Sequence, residues 1–277
     1  MVDFAVNSTG GFRDLGTAKS SLLWSRDLIL TLEPRKIHPN LAGAGAKGYR
    51  MVVEASDTAG AAEQLGFRLA HALLTVAIER SWGMSLSWPD QPLPCRVIDR
   101  TASKGATVQA FGSVTSHIDT SSFVDAIDAA FEKTVPYRIL LSMELCASSR
   151  FENDNRAKLI MLVSAFEALA PQRSLSPEID PLVDSLKSEV AAAKLDTRLS
   201  ASIIGQIDNL RRESVRRAIR RLMEDLKLDD SDIQVVDEAY VARSKVVHEG
   251  KRVPELESLA NQLDVILRRI YRDLPCD

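Results

Sequence analysis

The chain has 277 residues, 45% of them hydrophobic and 26% charged, with a formal net charge of -3 and a pI near 5.9. This composition is too apolar for a disordered chain, and its slight acidity excludes a general affinity for polyanions. Any nucleic-acid site must therefore be a local concentration of positive charge.

The opening MVDFAVNSTGGFRDLG lacks both a basic segment and an apolar core, so no secretory leader is expected. Charges interrupt every apolar stretch well before a membrane-spanning length. Cys95, Cys146 and Cys276 are odd in number, far apart and without metal-ligand spacing. They read as reduced thiols of a cytoplasmic protein.

Leu28–Glu33 and Tyr49–Ala55 have strand composition, and the PNLAGAGAKG between them is a glycine-rich connection. The AGAGAKG within it lacks the spacing and the Lys-Ser/Thr ending of a phosphate loop, so a hairpin connection is the better reading. Asp57 or Thr58 can cap a helix from about Ala59 to Arg80, with Gly83 just past its end. Leu65, Leu69, Ala72, Leu73 and Ala77 share its apolar side. Short strands are expected around Ser85–Trp88, Cys95–Asp99 and Thr107–Gly112, although Pro89, Pro92 and Pro94 restrict the sheet there. Residues 1–120 thus read as a small α+β module.

From about Ser121 the punctuation becomes helical, placing a domain boundary near residues 115–122. Ser122 is a candidate cap for the helix FVDAIDAAFEKTV, and Pro136 precedes a second helix, YRILLSMELCASS. In NDNRAKLIMLVSAFEALAPQ, Leu159, Leu162, Val163, Phe166 and Leu169 recur at helical spacing. Further helices are expected over Asp180–Lys194, Leu199–Leu226, Asp232–His248 and Pro254–Leu274. The last places Leu256, Leu259, Leu263, Ile266, Leu267 and Ile270 toward a core.

In YVARSKVVHEG (240–250) an arginine interrupts an apolar stripe. Val236, Tyr240, Arg243 and Val247 point within a narrow arc at 100° per residue. A permanent charge there needs an ion-pair partner, a ligand or a solvated cleft. His248 falls in the last turn before Gly250, where the helix dipole favours an imidazolium suited to proton transfer. The plainer alternative is an arginine paired with an acid of another helix, Glu167 among the candidates, and a histidine that only caps. Lys245 points away from the stripe, and Ser244 flanks it. LRRESVRRAIRRLMEDLK holds six arginines, Arg212, Arg216 and Arg220 among them. These could track a nucleic-acid backbone. They fit better the solvated face of an amphipathic helix, with Leu210, Val215, Ile219 and Leu222 inward and the arginines paired with Glu213, Glu224 and Asp225. His71, within LAHALLTVA, reads as a core histidine. No HxH, HExxH or CxxC spacing is present, so neither a catalytic metal nor a cofactor is expected.

Three stretches, KLIMLVSAFEALAPQ (158–172), NLRRESVRRAIRRL (209–222) and AYVARSKVVHEG (239–250), resemble the HEPN superfamily, in particular the ApeA-like HEPN group of prokaryotic defence proteins. The resemblance covers residues 121–277 and implies an all-α HEPN bundle following the α+β module. HEPN ribonucleases carry an Arg, four to six residues and a His near the end of a late helix. Arg243 and His248 would then be the catalytic pair, ordered by Ser244, Glu167 and Tyr240, with Arg212, Arg216, Arg220 and Lys245 contacting RNA. The implied activity is metal-independent endoribonuclease cleavage by a cytoplasmic homodimer in anti-phage defence. Many active members have Asn, Asp or His where this chain has Ser244, and Tyr where it has Gly250. The alternative is a non-catalytic HEPN domain that binds RNA, a nucleotide or a protein as a regulator or scaffold.

Overall fold

The computed structural model describes residues 2–12, 20–24, 28–35, 47–53, 58–86, 96–97, 116–131, 135–251 and 253–274. An α+β segment comes first and a helical region follows it. The strands are β1 (Val2–Ser8), β2 (Gly10–Phe12), β3 (Ser20–Trp24), β4 (Leu28–Arg35), β5 (Lys47–Val53), β6 (Met84–Ser85), β7 (Arg96–Val97) and β8 (Ser116–Ile118). Strands β3-β4-β5-β1-β6 form an antiparallel sheet in that order, and β7 pairs with the other end of β1. Strand β2 pairs separately with β8 in parallel. The expected strand over Thr107–Gly112 lies outside the described residues. So do His38, most of the glycine-rich connection, Cys95 and Cys276.

The sheet register follows from burial. Leu30 sits opposite Val53, Leu32 opposite Met51, and Val6 opposite Tyr49, and all six are buried. A one-residue slip would turn each of these side chains to the other face.

Nine helices occur among the described residues: α1 (Ala59–Glu79), α2 (Thr120–Phe131), α3 (Tyr137–Ser148), α4 (Asn155–Leu169), α5 (Asp180–Ala192), α6 (Thr197–Asp208), α7 (Val215–Asp225), α8 (Asp230–Glu249) and α9 (Leu256–Asp273). Helix α1 starts at Thr58, whose hydroxyl accepts from Ala61 N at 3.2 Å. It is terminated by Ser81, not Gly83. Ser81 takes φ 56°, its N–H bonds Ile78 O at 3.2 Å, and Trp82 N bonds Ala77 O at 2.8 Å. This is the paired hydrogen-bond pattern that closes many helices. Gly83 lies beyond, where an added Cβ would come within 3.3 Å of Thr9 and Phe151.

The C-terminal half of α1 is buried around most of its circumference, with Thr75 half-buried and Glu79 exposed on the remaining side. Leu69, Ala72, Leu73 and Ala77 are buried as the periodicity predicts, but so are Ala70, Leu74, Val76 and Ile78. Strands β1 and β7 and helices α2, α3 and α9 all contact it, which is the environment a helix apolar on most sides requires.

The described chain divides into two units, one of residues 1–168 with 238–277 and one of residues 169–237. The division falls at these positions, not at 115–122. Burial on most sides of α1 explains why the strands and α2, α3 and α9 belong to one unit.

The second unit breaks the helix expected over Leu199–Leu226. Ser174 and Arg212 form an antiparallel bridge, Leu175 N donates to Arg211 O at 2.8 Å and Glu213 N to Arg173 O at 3.0 Å. This pairing holds Arg212 extended, and Ser214 caps α7 by accepting from Arg217 N at 3.2 Å. Leu210, expected inward, is 48% exposed, whereas Ala218, Ile219 and Met223 form the buried face of α7. Similarly, Ser122 does not cap α2. Asp119 does, accepting from Ser122 N at 2.9 Å and from the Ser121 and Ser122 hydroxyls.

Candidate functional site

Helix α8 carries acids, Asp230 and Asp232, in its first turn and His248 in its last, the charge order that suits a helix dipole. It stops at Gly250, which has φ 61°, and Lys251 N donates to Lys245 O at 3.2 Å. The buried line on α8 is Ile233, Val236, Ala239 and Ala242. It ends in two alanines, and its mean direction lies about 40° round the helix from that of the expected stripe. Tyr240 and Arg243 are consequently half-buried on its flank, and Val247, expected in the stripe, is 46% exposed.

This displacement decides how Arg243 is held. One terminal nitrogen, Nη2, lies 3.9 Å from Glu167 Oε1 on α4, and the two side chains are 23% and 27% exposed. At that separation the groups attract as charges but do not share a hydrogen bond. A pair this accessible contributes at most about 1 kcal/mol. Arg243 Nε is buried without a hydrogen-bond partner. The guanidinium is therefore neither sealed in a core nor locked to an acid.

His248 is exposed, Ser244 half-buried and Lys245 exposed. Arg243 and His248 are five positions apart, about 140° around the helix. At that angle one copy of α8 is not an ideal clamp for a single phosphate.

Arg212, Arg216 and Arg220 belong to the second unit and are exposed. Arg216 Nε donates to Asp237 Oδ1 at 2.9 Å, and Arg220 Nε donates to Glu224 Oε1 at 3.1 Å. Arg221 binds Glu213 at 2.6 Å, while Arg211 binds Asp180, Asp184 and Asp208. Most of the basic run is thus internally paired. Arg212 and Arg217 form no ion pair among the described residues. His71 is buried, with Nε2 3.5 Å from the Thr75 hydroxyl.

Two arrangements were not read from the sequence. Asp264 on α9 accepts from Arg150 Nη2 at 2.6 Å and pairs with Arg268 Nε at 3.2 Å. Arg150 also donates to Trp82 O, and Arg268 to the Ser81 hydroxyl. The second is the row Arg268, Arg269 and Arg272, on the side of α9 opposite its leucine and isoleucine core. RRIYR beside an amphipathic repeat was the available signal for it.

Among the described residues, no three His, Cys, Asp or Glu side chains converge to hold a metal ion. No described helix is long and apolar enough to cross a membrane. No family model matches the chain, and neither a curated protein nor a solved structure does.

Proposed function

We propose that the chain is a metal-independent endoribonuclease with a HEPN-type helical region, acting as a cytoplasmic homodimer in prokaryotic anti-phage defence. The observation that carries this reading is the presence, near the end of α8, of an exposed His248 and of an Arg243 whose one ion pair among the described residues is a 3.9 Å contact to Glu167. A guanidinium so loosely engaged can exchange its carboxylate for a phosphate, which it binds through two parallel hydrogen bonds. With the two residues about 140° apart, a single copy is not an ideal clamp, whereas two α8 ends facing each other can surround one phosphodiester.

The ribose 2′-hydroxyl attacks the adjacent phosphorus and the P–O5′ bond breaks, leaving a 2′,3′-cyclic phosphate and a 5′-hydroxyl. Histidine at 248 moves the protons, taking one from the 2′-oxygen or giving one to the departing 5′-oxygen, and Arg243 stabilises the charge on the pentacoordinate phosphorus. Tyr240 and Ser244 flank Arg243 on α8 and order it, and Lys245 is the exposed cation of that helix available to the strand.

One observation favours a second reading, a non-catalytic HEPN regulator or scaffold. The Arg243–Glu167 contact also ties α8 to α4, a structural role that needs no substrate. The test is cleavage of a fluorescent single-stranded RNA in EDTA. His248→Ala is expected to slow cleavage by about 100-fold or more and to leave the melting temperature unchanged, because His248 is exposed. Equal cleavage by the variant removes His248 from catalysis. Absence of cleavage by the unaltered chain, with RNA or partner binding retained, favours the scaffold.

A further inference from the structure

We propose that a cleft formed by α1, α3 and α9 is a binding site for a free nucleotide. It shares no residue with the Arg243 and His248 pair and does not depend on the ribonuclease reading. The cleft has a volume of about 510 Å³, within the size range of small-molecule sites. Its three contributing elements lie in one unit.

The walls divide by chemistry. Ile78 of α1 and Met143 of α3 are buried and supply an apolar floor. Arg268, Arg269 and Arg272 supply a cationic wall from one side of α9. The spacing is that of a single helical face, because Val265 lines the same cleft while Leu263, Ile266, Leu267 and Ile270 turn into the core. Glu79 is the one acid on the lining among the described residues. The described lining thus carries three arginines and one carboxylate. The carbonyl end of α9 opposes an anion with about half a charge, so the site stays cationic.

Arg268 is fixed before any ligand arrives. Its Nε faces Asp264 Oδ2 at 3.2 Å and its Nη1 donates to the Ser81 hydroxyl at 2.8 Å. Its Nη2 makes no hydrogen bond among the described residues. Arg272 is exposed and forms no ion pair among them. A pre-set guanidinium beside an exposed one is a suitable receiver for a phosphate or diphosphate.

The floor selects what is attached to the phosphate. Inorganic phosphate would leave most of the volume unfilled. A planar base can lie against the Met143 thioether or stack on a guanidinium face. A nucleoside carrying one to three phosphates satisfies both walls.

The experiment is calorimetric titration of the full chain with ADP, GDP, CDP and UDP, the matching mono- and triphosphates, and pyrophosphate. At least one nucleotide is expected to bind with a Kd below about 1 mM, and more tightly than pyrophosphate. Arg272→Glu, at an exposed position, should raise that Kd at least tenfold without lowering the melting temperature. Arg269→Gln should also weaken binding, and His248→Ala should leave it unchanged. No binding by any of the probes overturns the proposal, and so does binding unaffected by both arginine variants. A single-stranded oligoribonucleotide that binds more tightly than every nucleotide, and loses affinity equally in Arg272→Glu, also overturns it by making the wall part of an RNA track.

Discussion

Glu213 is 6% exposed, yet it stays ionised because donors converge on it. Arg221 supplies Nε at 3.1 Å and Nη2 at 2.6 Å, and Arg173 supplies its backbone N–H at 2.9 Å. The hydrogen bonds from Arg221 hold its carboxyl below the ordinary 4.5, overcoming the opposing effect of burial. A depressed folded-state value means a stabilising contribution that is complete above the unfolded value near 4.5 and is lost as pH falls through the lower folded one. Glu213→Gln should therefore cost roughly 1–3 kcal/mol at pH 7, read from urea midpoints. The gap from the unaltered chain should narrow steadily below about pH 4.5. A gap constant from pH 7 to pH 3 would show that ionisation at Glu213 contributes nothing. Sequence reasoning put Glu213, Glu224 and Asp225 among the acids pairing with the basic run, and all three do pair with arginines. The special status of Glu213 was hidden because it depends on Arg173, 40 residues away in the chain. The environment of Arg243 was hidden for a related reason. Hydropathy weights Tyr240 and Val247 above Ala239 and Ala242, yet the alanines are the buried residues and Arg243 is left on the flank.

Helix ends show the same limit one level up. Thr58 and Gly250 were legible because their side chains, or lack of one, match the preference of the position. Ser81 and Lys227 were not, since both adopt φ 56°, a conformation that costs a non-glycine residue about 1–2 kcal/mol. At the end of α7, Lys227 N donates to Glu224 O and Leu228 N to Met223 O, both at 3.0 Å, and these bonds hold the left-handed residue in place. Lys227→Gly should relieve the strain and stabilise the chain by about 0.5–1 kcal/mol, seen as a higher denaturant midpoint with an unchanged slope. Ser81→Gly is a useful contrast, because it would also delete the acceptor of Arg268 Nη1 and so forfeit part of the same gain. A destabilised Lys227→Gly would mean that the lysine side chain matters there more than its backbone. The break between α6 and α7 belongs with these cases. Local propensity favours continuing the helix through LRRE, and the pairing with residues 173–175 overrides it.

At the scale of the whole molecule, the order of an α+β segment before a helical region was legible, whereas the division into units was not, because composition changes near residue 120 while α1 packs against helices on the far side of it. Cys146 lies in this shared core and gives a direct measure of how firmly it is closed. Burial pushes its thiol up to about 12, and its Sγ lies 3.7 Å from Asp264 Oδ1. At pH 8 only about one thiol in ten thousand would be ionised at that value, so Ellman's reagent should reach it solely through opening of the core. In a chain carrying Cys95→Ser and Cys276→Ser, Cys146 is the one remaining thiol. It should not react within minutes in the native protein and should react stoichiometrically in guanidinium chloride. Asp264 links Arg150, beside the C-terminal end of α1, to Arg268 on α9. Replacing it removes an anion from between two cations whose desolvation remains. Asp264→Asn in the same background should cost about 2 kcal/mol and speed labelling roughly 30-fold. Rapid reaction of the native thiol at the rate of a free cysteine would show that α3 and α9 do not close over it. Slow labelling unchanged by Asp264→Asn would show that apolar contacts, without the charge network, keep this core shut.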